Sequence, residues 1–341
     1  MTPAEILALP KVQLHCHLEG TLHRERFREL ALRHGVDIGF RATLPLENTY
    51  AFADFAGFLL LFRDVASVLR EPADFAALAA DYAADAAAQN VRYAEVFVSP
   101  SVWTWFHRGI DVEGTFAATR AALDTARAET GVEVALICDL TRNFGAVRAQ
   151  ETAEVAVAMR KYGVIGVGLG GDEGKWPPGL FAEAFTFARN AGLRTVAHAG
   201  EAAGAASVRA AVEVLGAERI GHGVRAIEDH AVVELLARRG IPLEICPTSN
   251  RLTGAAPAHL PHPMGALDAA GVRVTIDADD PALFGTTLLD EYREVERTLG
   301  GSALRRFAAN AIDASFAPAP FKARLHAELA ASRNSVDAVE V

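Results

Sequence analysis

His15 and His17 flank Cys16 in the segment Lys-Val-Gln-Leu-His-Cys-His at 11–17. On a strand residues i and i+2 share a face, so this spacing aims two imidazoles at one point. Two neutral imidazoles make half of a tetrahedral zinc shell. The chain offers partners of the same kind in His198 and Glu201, in His222, and in the pair Asp279 and Asp280. Nitrogens from His15, His17 and His198 with an oxygen from Asp279 complete a site for one Zn²⁺ per chain. Zinc lowers the pKa of bound water to about 7, which makes hydroxide available at neutral pH. In this scheme His222 orients or deprotonates the water. Glu201, three residues past His198 with Gly200 between, returns a carboxyl suited to proton shuttling. Blander readings exist: paired histidines are often satisfied by hydrogen bonds, and Asp279 and Asp280 also suit the N-cap of a helix opened by Pro281.

These residues gain weight from the elements that must carry them. Short apolar, β-rich runs recur at 12–17, 91–99, 132–140, 164–169, 194–199, 219–221, 241–246 and 272–276, with Ala- and Leu-rich helical patterns between them. The alternation predicts an α/β fold, a (β/α)₈ TIM barrel, with the suspicious polar residues at the C-terminal ends of its strands. A long insertion, roughly 21–90, follows the first strand and carries Phe55, Phe58, Leu59 and Phe62 at helical spacing. Two readings fit it, a helix packed on the barrel or a lid over its mouth. The whole chain, 1–341, is expected to be one barrel domain with a loose tail at 331–341. The other histidines, His23, His34, His107, His230, His259, His262 and His326, fall in helices or loops and are expected at the surface.

The bulk properties narrow the partners. With 341 residues and 51% hydrophobic content the chain can bury a large core, and its formal charge of −10 disfavours nucleic acid and anionic membranes. No secretory leader and no run long enough to span a membrane is legible, which predicts a cytoplasmic protein. Cys16, Cys138 and Cys246 lie far apart in apolar contexts, as expected of buried reduced thiols. A small-molecule substrate remains.

At six stretches the chain resembles the adenosine deaminase family of the amidohydrolase superfamily. They are His-Cys-His-Leu-Glu-Gly-Thr at 15–21, Gly-Leu-Gly-Gly-Asp-Glu at 168–173, His-Ala-Gly-Glu at 198–201, Arg-Ile-Gly-His-Gly at 219–223, Cys-Pro-Thr-Ser-Asn at 246–250 and Asp-Asp-Pro at 279–281. The resemblance runs from about residue 9 to 316 in the family's order. It implies His15, His17, His198 and Asp279 as zinc ligands, Glu201 as proton donor to purine N1 and His222 as partner of the water. It also implies that Asp280 contacts N7 and that the Gly171 backbone bonds the ring. Hydroxide attack at C6 and protonation at N1 belong together, because the proton prevents negative charge from building on the ring.

The same resemblance divides over the substrate. Glu19 stands where adenosine deaminases commonly carry a ribose-contacting Asp, a departure shared with the family's adenine deaminases and some futalosine-pathway enzymes. Ser-Asn-Arg-Leu-Thr-Gly at 249–254 looks more like the nucleoside enzymes. Adenosine is therefore the first expectation, with adenine and 6-amino-6-deoxyfutalosine as alternatives. Specificity is expected to depend on Glu19, Phe58 and Phe62, and His17 is expected to touch substrate. Asp277 and Ala278 replace the usual Asn and Ser or Thr before the Asp pair. Other readings fit less well. A cytidine-deaminase site needs a Pro-Cys-x-x-Cys element that is missing, a binuclear site needs a bridging Lys where Gly170 and Gly171 stand, and a phosphoesterase wants more cations than Arg225 and Arg251. A non-catalytic relative would have lost a ligand or Glu201.

Overall fold

The apolar runs form β1 (Lys11–Gln13), β2 (Val91–Val98), β3 (Glu133–Asp139), β4 (Val164–Gly168), β5 (Arg194–Ala199), β6 (Arg219–His222), β7 (Leu243–Ile245) and β8 (Val274–Ile276). The computed structural model describes residues 1–337. All seven strand pairs are parallel and neighbours follow chain order, with helices between them. This is the (β/α)₈ barrel expected from the pattern.

The seam between β8 and β1 is closed by the very segments that carry site residues. His17 N–H donates to the Asp279 carbonyl at 2.9 Å, and Asp279 N–H donates to the His15 carbonyl at 3.1 Å. The Asp277 carboxylate accepts the N–H groups of Leu14 at 2.5 Å and His15 at 3.1 Å. A regular β1 through His17, as the sequence suggested, gives way to a strand that ends at Gln13. Its next two N–H groups turn to a side chain instead of a neighbouring strand.

Two layers of core follow from strand alternation. Most apolar side chains fill the shell between strands and helices, while Phe97, Ile137 and Val196 form a separate inner cluster. Phe97 stacks on His17 with ring centroids 5.0 Å apart and lies 4.9 Å from the His15 ring, so this cluster forms the floor beneath the histidines. Also buried is Arg219, paired with Glu95 at 2.6 Å and Glu244 at 2.5 Å and stacked at 3.8 Å on Phe316.

The segment between β1 and β2 holds helices Arg24–His34, Phe55–Ser67 and Pro72–Ala88 with short 3₁₀ turns. Asp54 caps the second of these through Gly57 N–H at 2.8 Å. Leu61 and Val65 of that helix are buried, and Phe58 stacks on Phe284 at 4.8 Å beside the barrel mouth. The helix Ala319–Asp337 extends into the segment expected to be loose, and 338–341 lie outside the described residues. Of the other histidines, His23, His230 and His259 are exposed, while His34, His107, His262 and His326 are partly covered.

Candidate active site

Four buried histidines and two aspartates converge at the C-terminal ends of β1, β5, β6 and β8. His15 presents Nδ1 to a Glu244 carboxylate oxygen at 2.8 Å. That contact makes Nδ1 the donor and leaves Nε2 as a lone pair, 3.4 Å from Asp279 Oδ1 and without a hydrogen-bond partner among the described residues. His17 Nε2 lies 3.1 Å from His198 Nε2 and 3.6 Å from Asp279 Oδ1. Facing nitrogens this close, next to a carboxylate, are a donor set for a cation such as zinc.

The ligand atoms of His15, His198, His222 and Asp279 all lie within 4.8 Å of one another, and those of His17, Asp279 and Asp280 form a second such group. The sequence set contains His17 in place of His222. Hydrogen bonding favours that choice: Asn250 Nδ2 donates to His222 Nδ1 at 3.0 Å, which puts the ring proton on Nε2. A protonated Nε2 is a donor rather than a ligand. It faces Glu201 Oε2 at 3.6 Å and Asp279 Oδ2 at 4.0 Å.

The backbone is bent to achieve this. His222 and Asp279 both have φ of 61°, the left-handed region, in which a non-glycine residue costs of order 1–3 kcal/mol. Asp280 occupies the N-cap position of helix Pro281–Phe284, but its side chain makes no capping bond. Its carboxylate instead lies over Gly20, where any Cβ would collide with it, and Oδ1 has no hydrogen-bond partner among the described residues. Glu173 holds the loop after β5: its two oxygens accept N–H groups from Gly200, Glu201, Ala202 and Ala203 at 2.7–3.1 Å.

Electrostatics separate the carboxyls. Burial and the Asp279 charge push Glu201 well above the usual carboxyl range. Asp280 is raised in the same way. Burial would raise Asp279 too, but the His15, His222 and His17 imidazoles around it outweigh this and hold it well below. Burial lowers His17 to about 3 and His222 to about 4. His17, His198 and His222 are thus neutral beside an ionised Asp279 and the raised carboxyls of Glu201 and Asp280, the division expected where acid and base work side by side.

These groups open into a cavity of about 310 Å³. His17, Gly171, His198, Glu201, His222 and both aspartates line it. Phe58 and Phe62 line the outer wall with Phe55, Trp105, Phe106 and Phe144. His15 lies behind, and Glu19 is turned away. Its Oε1 accepts Ser99 N–H at 2.9 Å and Trp103 Nε1–H at 2.7 Å, with the side chain fully buried. Glu19, expected to touch substrate, is absent from the cavity lining because its longer side chain reaches the β2 end and is held there through Oε1, while Oε2 is buried without a hydrogen-bond partner among the described residues. Sequence reasoning missed Glu244, Asn250 and Asp139, whose roles depend on contacts across the barrel. Glu244, two residues before Cys246, was a charge in an otherwise apolar strand, and that was its only signal.

The family model described as adenosine deaminase matches residues 10–332. The chain belongs to the adenosine deaminase family. It is 40% identical over 331 residues to an adenine deaminase of Rhodospirillum rubrum, covering 96% of this chain and 98% of that protein. A crystal structure of adenine deaminase from Arthrobacter aurescens superposes with a TM-score of 0.89 at 34% identity, covering 94% of this chain and 98% of that one. An amidohydrolase from Burkholderia ambifaria with bound Zn has a TM-score of 0.88 at 30% identity, covering 98% of this chain and 94% of that one. The family is one of deaminating hydrolases. No helix among the described residues is long and apolar enough to cross a membrane.

Proposed function

We propose that the chain is an adenine deaminase, converting the free base to hypoxanthine and ammonia. The observation that supports the choice is Glu19, whose Oε1 is tied to Ser99 and Trp103 and which does not line the cavity, so the position that meets ribose in nucleoside enzymes is withdrawn from it. Likeness to the Rhodospirillum and Arthrobacter adenine deaminases supports it. The stretch 249–254, which favoured adenosine, carries less weight: Asn250 is engaged with His222 instead of reaching outward for a sugar.

His15, His17, His198 and Asp279 fit a single zinc ion, since His15 Nε2 is an orphaned buried lone pair and the His17 and His198 nitrogens face each other. Zinc held there supplies a hydroxide nucleophile at neutral pH. The chain's own residues do the remaining work. His222 Nε2, between Glu201 and Asp279, orients the nucleophile toward C6. Glu201, protonated by its buried setting, delivers its proton to N1 so that attack leaves a neutral ring. Asp280 donates to N7, and Gly171 closes on the ring edge from the β4 end. The Phe58 and Phe62 helix covers the base and excludes water, acting as the lid of the barrel domain. The test is kcat/KM for adenine, adenosine and 6-amino-6-deoxyfutalosine, and a tenfold preference for either N9-substituted purine would overturn the reading.

A further inference from the structure

The residues assigned above to metal and proton work stand on β1, β5, β6 and the segment after β8; apart from β7, which lies between β6 and β8, this leaves the adjacent ends of β2, β3 and β4 as the other side of the mouth. In that half Asp139, the last residue of β3, lines the cavity with only 4% of its surface exposed. Its Oδ1 has no hydrogen-bond partner among the described residues. Gly170 makes room for this carboxyl, because a Cβ there would lie 2.6 Å from Oδ2. The nearby Arg142 is directed elsewhere, to the carbonyls of Trp176 at 2.7 Å and His198 at 2.5 Å. Burial and the neighbouring Glu19 push the Asp139 carboxyl up to about 7. A buried polar atom left open beside a cavity calls for an explanation, and a ligand that completes it is one.

We propose that Asp139 is a specificity residue for the free base, accepting through Oδ1 the N9–H that a nucleoside has replaced by a carbon substituent. The inference rests on the adenine reading. With C6 and N1 turned toward His222 and Glu201 and N7 toward Asp280, N9 is the ring nitrogen farthest from the reacting carbon, and it faces the β2–β4 half of the cavity where Asp139 stands. A free base brings a donor there. An N9-substituted purine brings none and leaves Oδ1 unpaired, and that unpaired group is what gives a polar site its discrimination.

The test compares kcat/KM for adenine and 9-methyladenine in the wild type, Asp139→Leu and Asp139→Asn, with metal content and melting temperature alongside. Asp139→Leu keeps the bulk and removes the acceptor, so the adenine to 9-methyladenine ratio should fall roughly tenfold or more. Asp139→Asn keeps an acceptor oxygen and should restore most of it. A Leu variant with wild-type metal, stability and substrate ratio overturns the proposal, as does an Asn variant no better than Leu. Preference of the wild type for adenosine over adenine instead sinks the adenine reading itself, before any variant is compared.

Discussion

The imidazole of His15 and the carboxylate of Glu244 meet at 2.8 Å inside the barrel, 229 residues apart in the chain. Burial would raise Glu244, but Arg219 and His15 hold it below the usual carboxyl range. Arg219 is itself shared with Glu95 at 2.6 Å. The ionised Glu244 carboxylate faces His15 Nδ1–H, and that charge fixes the tautomer and makes Nε2 the more basic nitrogen.

Glu244→Gln keeps an acceptor for His15 Nδ1–H and removes that charge. Metal release into excess chelator should quicken by about 10- to 100-fold. Metal content of the purified protein should fall with it. Release at the wild-type rate would deny Glu244 this positioning role.

Glu201→Gln cannot deliver a proton to N1, and kcat should fall by roughly 10²-fold or more while metal content stays near wild type. Glu173→Ala acts on the same residue indirectly, by freeing the four N–H groups of 200–203. It should lower both the melting temperature and kcat. Loss of metal from Glu201→Gln would reassign Glu201 as a ligand.

The strand ends were legible in the sequence because residue type, period-2 spacing and the order of apolar runs all act locally. His15, His17, His198, His222 and Asp279 could be assembled from that pattern alone. What escaped is set by side chains that cross the barrel. Glu19 reads the same whether it points into the cavity or to Trp103, and only the position of Ser99 N–H decides. Asp277 looked like a substitution beside a ligand, yet it closes the β8–β1 seam and shortens β1. Asp139 and Glu244 carried no motif, since their meaning lies in partners from other strands.

Glu291 offers a pH test away from the metal site. Its oxygens accept Thr286 Oγ1–H at 2.7 Å and Thr248 N–H at 3.1 Å, and burial raises the carboxyl from 4.5 to about 7. The folded state therefore holds a proton that the unfolded chain releases, so this contribution is full below pH 4.5 and lost as pH rises through about 7. Relative to wild type, Glu291→Gln should gain of order 2 kcal/mol between about pH 4.5 and pH 8. Chemical denaturation at the two pH values measures it, and an equal difference at both would show that the group does not titrate in this range.

Glu19→Asp shortens the side chain that now reaches Ser99 N–H and Trp103 Nε1–H, so the carboxylate cannot keep both bonds from the same backbone position. Released from the β2 end, it becomes available to a hydroxyl at the cavity, while Trp103 loses its acceptor in a fully buried setting. Efficiency on adenine should fall and efficiency on adenosine should rise relative to it, moving the ratio by about tenfold, or 1.4 kcal/mol. Metal content should not change, because Glu19 touches none of the proposed ligands. Trp103→Phe separates the two effects: it removes one donor to Glu19 without shortening the acid, and it should disturb stability more than substrate choice. A Glu19→Asp enzyme with wild-type stability and an unaltered ratio would show that the anchored carboxylate has no part in excluding the sugar.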